Sequence, residues 1–259
     1  MREKIFQEKC HIVGKQKIGK EYFKLTIDSR KIASFARPGQ FVEIEVVNED
    51  GPFLRRPLGI HRVKAGNFDI LCEIVGRGTK ILSQKKTGEY LDVIGPLGNG
   101  FNLLKGKAII VAGGMGVAPL VFLAEKMVHS KPSVLLGAKT KSQTLCEKEF
   151  KSIGCDVKIA TDDGSRGFKG KITELLNYLL STMNYEPSTI YACGPRPMLK
   201  EVSRISKKNN IPAQFSLEEH MACGIGACLG CVIDTRDGYK RVCKDGPVFA
   251  ADDIIWTER

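Results

Sequence analysis

The chain has 259 residues, of which 42% are hydrophobic and 27% are charged. This composition is sufficient for two compact domains and a small appendage, and it excludes a chain that is disordered throughout. The formal net charge of +11 raises the possibility of nucleic-acid binding, but Lys and Arg are scattered, and the densest patches, Lys139–Lys141 and Lys207–Lys208, are short. We interpret the charge as a solvated surface, with no nucleic-acid partner.

The sequence predicts a soluble, cytoplasmic protein. Residues 1–10 lack the apolar region of a secretory signal. The longest uncharged run, Ala108–Ala124, is shorter than the ~20 residues that span a bilayer, and it contains three glycines and a proline. A buried strand, a turn and a helix explain this run better than a membrane span does. The nine cysteines argue against a disulfide framework in such a compartment.

Residues 1–104 are predicted to form β structure. Phe41–Val47 alternates apolar and polar residues with the period of a half-buried strand. Further strands are expected at His11–Ile18, Tyr22–Ile27, Phe68–Val75 and Tyr90–Ile94. Turn residues separate them at Pro38-Gly39, Asn48–Gly51, Gly66-Asn67 and Gly95–Gly100. Several short strands with little helix favour a small antiparallel β-barrel.

Residues 105–212 are predicted to alternate strands and helices, which indicates a doubly wound parallel α/β domain. The expected strands are Ala108–Ala112, Ser133–Ala138, Asp156–Ala160 and Thr189–Ala192. The expected helices are Val117–His129, Ile172–Met183 and Met198–Lys208.

Residues 213–259 are predicted to form a small cluster-binding domain. Cys223, Cys228 and Cys231 follow the spacing C-x4-C-x2-C, and Cys243 is a more distant fourth cysteine. This spacing is typical of the plant-type ferredoxin arrangement for a [2Fe–2S] cluster, and the small residues between the ligands let backbone N–H groups approach the sulfides. A structural zinc site and a set of buried free thiols are the alternatives.

Two glycine-rich turns each follow a strand and open a helix. Gly113, Gly114, Gly116 and Pro119 form the first turn, and Cys193, Gly194 and Pro195 begin the second. Both would lie at the carboxyl edge of the sheet, where open α/β sheets bind ligands. Glycines and a helix N-terminus suit a pyrophosphate, although a tight strand-to-helix turn alone also explains each motif.

The β region contains two further candidates for phosphate binding. Arg56, in the segment Leu54–Gly59, would bind a pyrophosphate through its guanidinium, unless it is an ordinary surface charge. Gly78 and Thr79 precede a short predicted helix, Lys80–Lys85, whose N-terminus suits phosphate; a plain turn with a Thr cap is the alternative.

With these motifs in this order, the chain resembles the ferredoxin reductase superfamily, and more narrowly the electron transfer subunits of B-type dihydroorotate dehydrogenase. The resemblance is strongest at Gly95–Phe101, Gly113–Pro119, Tyr191–Met198, Met221–Cys231 and Val242–Phe249. It implies FAD, a [2Fe–2S] cluster and NAD as cofactors, and no catalytic triad. The residues it implies for FAD are Arg56, Pro57, Leu58, Gly59, Leu71, Cys72, Glu73, Gly78 and Thr79. It implies that Gly113–Pro119 and Cys193–Pro195 shape the nicotinamide nucleotide site.

The resemblance also implies a function. An FMN-containing catalytic partner would oxidise dihydroorotate for pyrimidine biosynthesis, and this chain would pass the electrons through the cluster and FAD to NAD⁺, as part of a heterotetramer of two subunits of each kind. Other flavin and iron–sulfur subunits, linked to ferredoxin or to sulfide, remain an alternative. A redox sensor that binds a cluster without turnover is an alternative of another class.

Two features leave points open. Gly59 stands where the superfamily usually has Ser or Thr beside the flavin, so only a backbone N–H is available there. The segment Gly137–Ser142 has cations and hydroxyls that suit a 2′-phosphate and lacks an acidic residue for the ribose, so the residues alone do not separate NAD from NADP.

Overall fold

The computed structural model describes residues 4–46, 51–182 and 186–257. Its internal contacts divide the chain into two compact units. The first unit contains residues 1–100, 219–232 and 240–247, and the second contains residues 101–218, 233–239 and 248–259. Residues of the predicted C-terminal segment occur in both units. Within the described ranges, no helix is long and apolar enough to cross a bilayer.

The first unit contains a closed six-stranded antiparallel barrel, which confirms the predicted fold of this region, although no strand was predicted at the position of its fourth strand. Its strands are β1 (Phe6–Ile18), β2 (Tyr22–Asp28), β3 (Phe41–Ile44), β4 (Arg56–Lys64), β5 (Asn67–Glu73) and β6 (Tyr90–Leu97). They pair in the order β1-β2-β5-β4-β3-β6. Leu25, Ile27, Ile44, Ile60 and Ile70 are fully buried, so the apolar positions of the alternation form a barrel core.

Two short helices accompany the barrel. Helix α1 (Arg30–Phe35) was not expected from the sequence; Ser29 caps it by accepting a hydrogen bond from the Ile32 N–H, at 3.1 Å. Helix α2 (Arg77–Gln84) begins three residues before the expected Lys80 and ends one residue before Lys85. Val47 and residues 48–50, which were expected to end a strand and begin a turn, lie outside the described residues.

The second unit contains a seven-stranded, mostly parallel sheet. Its strands are β7 (Ala108–Gly113), β8 (Ser133–Ala138), β9 (Asp156–Thr161), β10 (Phe168–Lys169), β11 (Thr189–Cys193), β12 (Ala213–Ser216) and β15 (Val248–Ala250). They lie in the order β10-β9-β8-β7-β11-β12-β15. Of these seven strands, only β15 is antiparallel to its neighbour, β12. The four strands expected from the sequence are present, whereas β10, β12 and β15 were not foreseen.

The helices of the second unit are α3 (Leu120–Lys126), α4 (Glu147–Ile153), α5 (Ile172–Thr182) and α6 (Arg196–Lys208). The single helix expected at Val117–His129 is interrupted. A 3₁₀ turn occupies Gly114–Val117, α3 begins after Pro119, and a second 3₁₀ turn follows at Val128–Ser130. Proline has no N–H to donate and favours the start of a helix, which accounts for the break. Met183, the expected end of α5, lies outside the described residues.

Strands β13 (Val232–Thr235) and β14 (Gly238–Arg241) form a separate two-stranded sheet. They connect Cys231 to Cys243, and the Val242 N–H donates to the Cys231 carbonyl at 2.9 Å. This hairpin brings the distant fourth cysteine back to the loop that carries the other three.

Candidate functional site

The four cysteines predicted to bind a cluster lie in the first unit, three on the loop 223–231 and the fourth just after β14. Backbone N–H groups of the same segment point at their sulfurs. Cys223 Sγ accepts from the N–H groups of Ala227 and Cys228, at 3.3 and 3.4 Å. Cys228 Sγ accepts from Gly230 at 3.5 Å, and Cys231 Sγ accepts from Cys243 at 3.4 Å. Donors that stabilise negative sulfur are what a thiolate-ligated cluster requires, so this donor set fits an iron–sulfur cluster.

The loop backbone is wound in a way that turns these N–H groups inward. Gly224 and Gly226 adopt positive φ angles of 67° and 86°, and Leu229 does so as well, at 58°. A side chain in this left-handed region costs energy, so glycine is favoured at the first two positions. The glycines that the sequence pattern singled out are thus explained by the path of the loop.

The electrostatics differ between Cys223, on the loop, and Cys243, after β14. Burial opposes ionisation of Cys223, but the N–H groups of Ile225 and Cys228 outweigh it and lower the pKa of the thiol to about 6. Burial and the neighbouring Cys231 raise the pKa of Cys243 to about 12. Cys228 is exposed, whereas Cys231 and Cys243 are buried. The loop therefore presents its Cys228 side to solvent.

An arginine that the sequence did not single out holds this loop in place. Arg241 Nη1 donates to the Gly226 carbonyl at 3.0 Å. Asp245 fixes the arginine, accepting from its Nε at 2.9 Å and from its Nη2 at 3.0 Å, and Arg241 in turn lowers the pKa of Asp245. Nothing in the spacing of Arg241 distinguishes it from other surface arginines, so only the fold reveals the contact.

The structure brings together two of the predicted phosphate-binding features of the barrel. Arg56 begins β4, and Gly78 lies in the first turn of α2. A Cβ added to Gly78 would lie 2.8 Å from Arg56 Nη2, so the guanidinium rests directly on the N-terminal turn of this helix. Arg56 Nη1 also donates to the Leu54 carbonyl at 2.6 Å. A fixed guanidinium beside the positive end of a helix dipole fits the pyrophosphate of FAD.

The remaining residues predicted for FAD divide into two groups. Pro57, Leu58 and Gly59 are half-buried on β4, and Glu73 is half-buried at the end of β5. Leu71 and Cys72 are buried, and burial raises the pKa of Cys72 to about 12. Thr79 is buried too, and its hydroxyl accepts from the N–H groups of Val75 and Gly76, at 3.0 and 3.2 Å. Thr79 therefore shapes the turn that precedes α2.

The two glycine-rich turns of the sheet pack against each other. Gly113 ends β7, and a Cβ there would lie 2.6 Å from Met198 Sδ. A Cβ on Gly116 would overlap the backbone of Cys193 and lie 2.5 Å from the Gly194 nitrogen. Gly114 differs, because nothing lies within 4 Å of its Cβ position and its φ is +53°. Two of the glycines thus serve loop packing, and Gly114 is the one that leaves open space for a ligand.

The second turn buries the side chain of its cysteine. Cys193 is 1% exposed at the end of β11, and burial, with Glu218 nearby, raises its pKa well above the ordinary value. Pro195 is the N-cap of α6, which has 13 residues. The backbone of this turn and the N-terminus of α6 are what remain available to a nucleotide.

A barrel with a guanidinium on a helix N-terminus, a parallel sheet with paired glycine turns and a four-cysteine loop together define a flavin- and nicotinamide-linked iron–sulfur oxidoreductase. Family models agree with two of these parts. The model for the iron–sulfur cluster binding domain of dihydroorotate dehydrogenase B matches residues 218–255, and the oxidoreductase NAD-binding domain matches residues 110–204.

Relatives extend the agreement to the whole chain. The chain is 40% identical to the dihydroorotate dehydrogenase B (NAD(+)) electron transfer subunit of Caldanaerobacter subterraneus subsp. tengcongensis, over 96% of this chain and 98% of the relative. Identity to the subunit of the same name from Clostridium acetobutylicum is 39%, with 98% and 99% covered. The chain therefore belongs to the family of dihydroorotate dehydrogenase B electron transfer subunits.

Solved structures agree on the fold. The structure of an NADH-dependent reduced ferredoxin-NADP oxidoreductase, studied for flavin-based electron bifurcation, matches with a TM-score of 0.85 and 33% identity, over 95% of this chain and 90% of that one. The ferredoxin reductase of carbazole 1,9a-dioxygenase matches with a TM-score of 0.68 at 19% identity, over 82% and 69% of the two chains, which shows the shared fold. The predicted fold class and the cofactor set of FAD, [2Fe–2S] and NAD are thereby confirmed.

Proposed function

We propose that this chain carries electrons from a catalytic subunit to NAD⁺. The catalytic subunit would contain FMN and oxidise dihydroorotate. The observation that carries the proposal is the four-cysteine loop with its N–H groups directed at sulfur, within a chain whose relatives are named as electron transfer subunits. When bound, a flavin exchanges hydride with nicotinamide and single electrons with an iron–sulfur cluster. A nicotinamide transfers hydride only, so the flavin is needed to connect the two.

The residues of this chain bind and orient these groups. We assign Cys223, Cys228, Cys231 and Cys243 as cluster ligands. Arg56 and the first turn of α2 at Gly78 and Thr79 would hold the flavin pyrophosphate, with Pro57–Gly59 and Leu71–Glu73 along the flavin. Gly113–Pro119 and Cys193–Pro195 would bind the nicotinamide nucleotide, with Gly114 at the point of closest backbone approach. We propose that residues 1–104 bind FAD, residues 105–212 bind the nicotinamide nucleotide and residues 213–259, which occur in both compact units, bind the cluster.

The assembly we propose is a heterotetramer of two electron transfer and two catalytic subunits, which links the activity to pyrimidine biosynthesis. The relatives' name identifies a subunit and hence a catalytic partner, and the stoichiometry is our inference. We place the protein in the cytoplasm, since none of its nine cysteines, all of them in the described residues, forms a disulfide, and unpaired thiols suit a reducing compartment.

One observation favours a second candidate. The match to the NADH-dependent reduced ferredoxin-NADP oxidoreductase has a TM-score of 0.85 at 33% identity, so a ferredoxin-linked oxidoreductase shares this architecture closely. The two candidates differ in the partner subunit and in the electron donor, and the cofactors of this chain are common to both.

Affinity purification of the chain from its native cell, followed by identification of the co-purified subunit and its flavin, tests the proposal. We expect an FMN protein, and turnover of dihydroorotate to orotate with reduction of NAD⁺. Light scattering of the purified complex checks the stoichiometry. A complex that oxidises ferredoxin and leaves dihydroorotate unchanged would contradict the first candidate and support the second.

A further inference from the structure

The strand β3 carries a buried acid that none of the assignments above uses. Glu43 is 0% exposed, and neither oxygen of its carboxyl has a hydrogen-bond partner among the residues that the structure describes. Burying a carboxyl without a partner is costly, and such a group in a folded protein calls for an explanation. A buried Leu or Met would fill the same space without the free-energy cost of burying a carboxyl group.

The position of Glu43 places it against the cluster loop. Its side chain points to the face of β3 opposite Val42 and Ile44, since neighbours along a strand alternate. A Cβ added to Gly224 would lie 2.5 Å from Glu43 Cγ and 2.6 Å from Glu43 Oε1. The carboxyl therefore occupies the space beside the residue that follows Cys223, and the glycine at 224 is required to admit it.

The same residue lies next to the flavin segment. Glu43 pairs with Pro57 across the β3–β4 ladder, and Phe41, on the same face of β3, pairs with Gly59. Glu43 is thus in contact with the cluster loop while its own strand borders the segment assigned to FAD. A carboxyl here is well placed to influence an electron carrier held by the loop.

No cation forms an ion pair with Glu43 in the described part of the chain. Arg55 is engaged by Asp92, at 2.6 Å, and by Glu45, at 3.6 Å. Arg56 donates to backbone carbonyls. Burial raises the pKa of Glu43 to about 7, against the opposing effect of Arg55.

We propose that Glu43 is a positioning residue that sets the reduction potential of the cluster, by holding a buried carboxyl group, which has no hydrogen-bond partner among the described residues, against the loop at Gly224. The inference rests on the proposed cluster ligation by the four cysteines. Reduction adds an electron to a centre that is already negative, so a nearby carboxylate disfavours the reduced form. Removing the charge raises the potential.

The test compares Glu43→Gln with the wild-type holoprotein, purified anaerobically, by redox titration at pH 8.5 followed by electron paramagnetic resonance. Glutamine keeps the shape and removes the charge. We expect the reduction equilibrium to shift about tenfold toward the reduced cluster, which is a rise of about 59 mV for one electron. Iron and acid-labile sulfide per FAD should match the wild type.

Glu45→Gln is the matched control, because this carboxylate is two residues away, half-exposed and paired with Arg55. Its cluster potential should stay close to that of the wild type. An unchanged potential in a fully loaded Glu43→Gln protein overturns the inference. A wild-type protein without iron and sulfide would instead contradict the proposed function, so the two failures are distinguishable.

If the glutamine variant is purified without its cluster, Glu43→Asp decides the question, since it retains the charge on a shorter side chain. A loaded aspartate variant with a potential near that of the wild type supports the role of the charge. Loss of the cluster from both variants shows that the side chain only shapes the loop, and overturns the inference.

Discussion

Glycines in the cluster loop and in the nucleotide-binding sheet have different structural roles. In the cluster loop, Gly224 and Gly226 adopt positive φ angles and wind the backbone so that N–H groups meet the cysteine sulfurs. In the nucleotide-binding sheet, Gly113 and Gly116 leave no room for a Cβ because the two turns pack against each other. The difference teaches that a glycine pattern acquires chemical meaning only from the residues beside it: cysteines at ligand spacing in one region, and a packed neighbouring turn in the other.

The largest expected effect is the loss of turnover when a cysteine of the cluster loop is replaced. In Cys228→Ser, a harder ligand replaces the exposed cysteine, so the cluster should be lost or shifted in potential. With the catalytic partner, dihydroorotate-to-NAD⁺ turnover should fall by at least about 100-fold, an order of magnitude typical of losing an essential group. Reduction of FAD by NADH, followed by stopped flow, should stay near the wild-type rate.

The control for that variant is Cys146→Ser, which changes a half-buried cysteine outside the cluster loop and should retain full turnover. Binding of the partner must be measured separately, because a cluster also stabilises the segment that holds it. Unimpaired turnover in a Cys228→Ser protein that still binds its partner would mean that electrons bypass the cluster.

An intermediate effect is expected at the flavin segment. Arg56→Ala removes the guanidinium that rests on the first turn of α2. A charge-assisted contact to phosphate contributes about 1.5–3 kcal/mol, so the FAD dissociation constant should rise about 10- to 100-fold. Arg55→Ala is the matched control, since Arg55 is paired with Asp92 and should leave FAD affinity nearly unchanged. Equal affinities for wild type and Arg56→Ala would remove Arg56 from the site.

The last pair of variants is compared by stability, and it sharpens the distinction between the two kinds of glycine within the sheet. Gly116→Ala forces a methyl group into the backbone of Cys193 and should cost about 3 kcal/mol, which lowers the unfolding temperature by roughly 6–12 °C. Gly114→Ala meets open space and should cost about 1 kcal/mol for its positive φ, although NAD⁺ binding should weaken. Calorimetry and nucleotide titration separate the two, and equal stability losses would contradict the packing account.

The sequence was sufficient where a residue type itself specifies the structure or the chemistry. Apolar runs predicted β7, β8 and β11 because buried parallel strands require them. The cysteine spacing predicted the cluster segment because few other structures need it, and the family comparison confirms that segment.

The sequence was insufficient where distant segments meet. The alternation in β3 correctly put Glu43 on the face opposite Val42, but a polar residue on that face is expected to be exposed. Its burial follows from Gly224, far along the chain, and no local pattern encodes that contact. Strands β12 and β15 were missed for the same reason, since Phe215 pairs with Phe249 across a long separation in sequence.

The most direct test of the central claim is the cofactor content of the protein purified without oxygen. The account predicts flavin and iron–sulfur absorption, with about two irons and about two acid-labile sulfides for each FAD. One equivalent of zinc with no acid-labile sulfide would contradict it, because the four cysteines would then form a structural metal site that transfers no electrons.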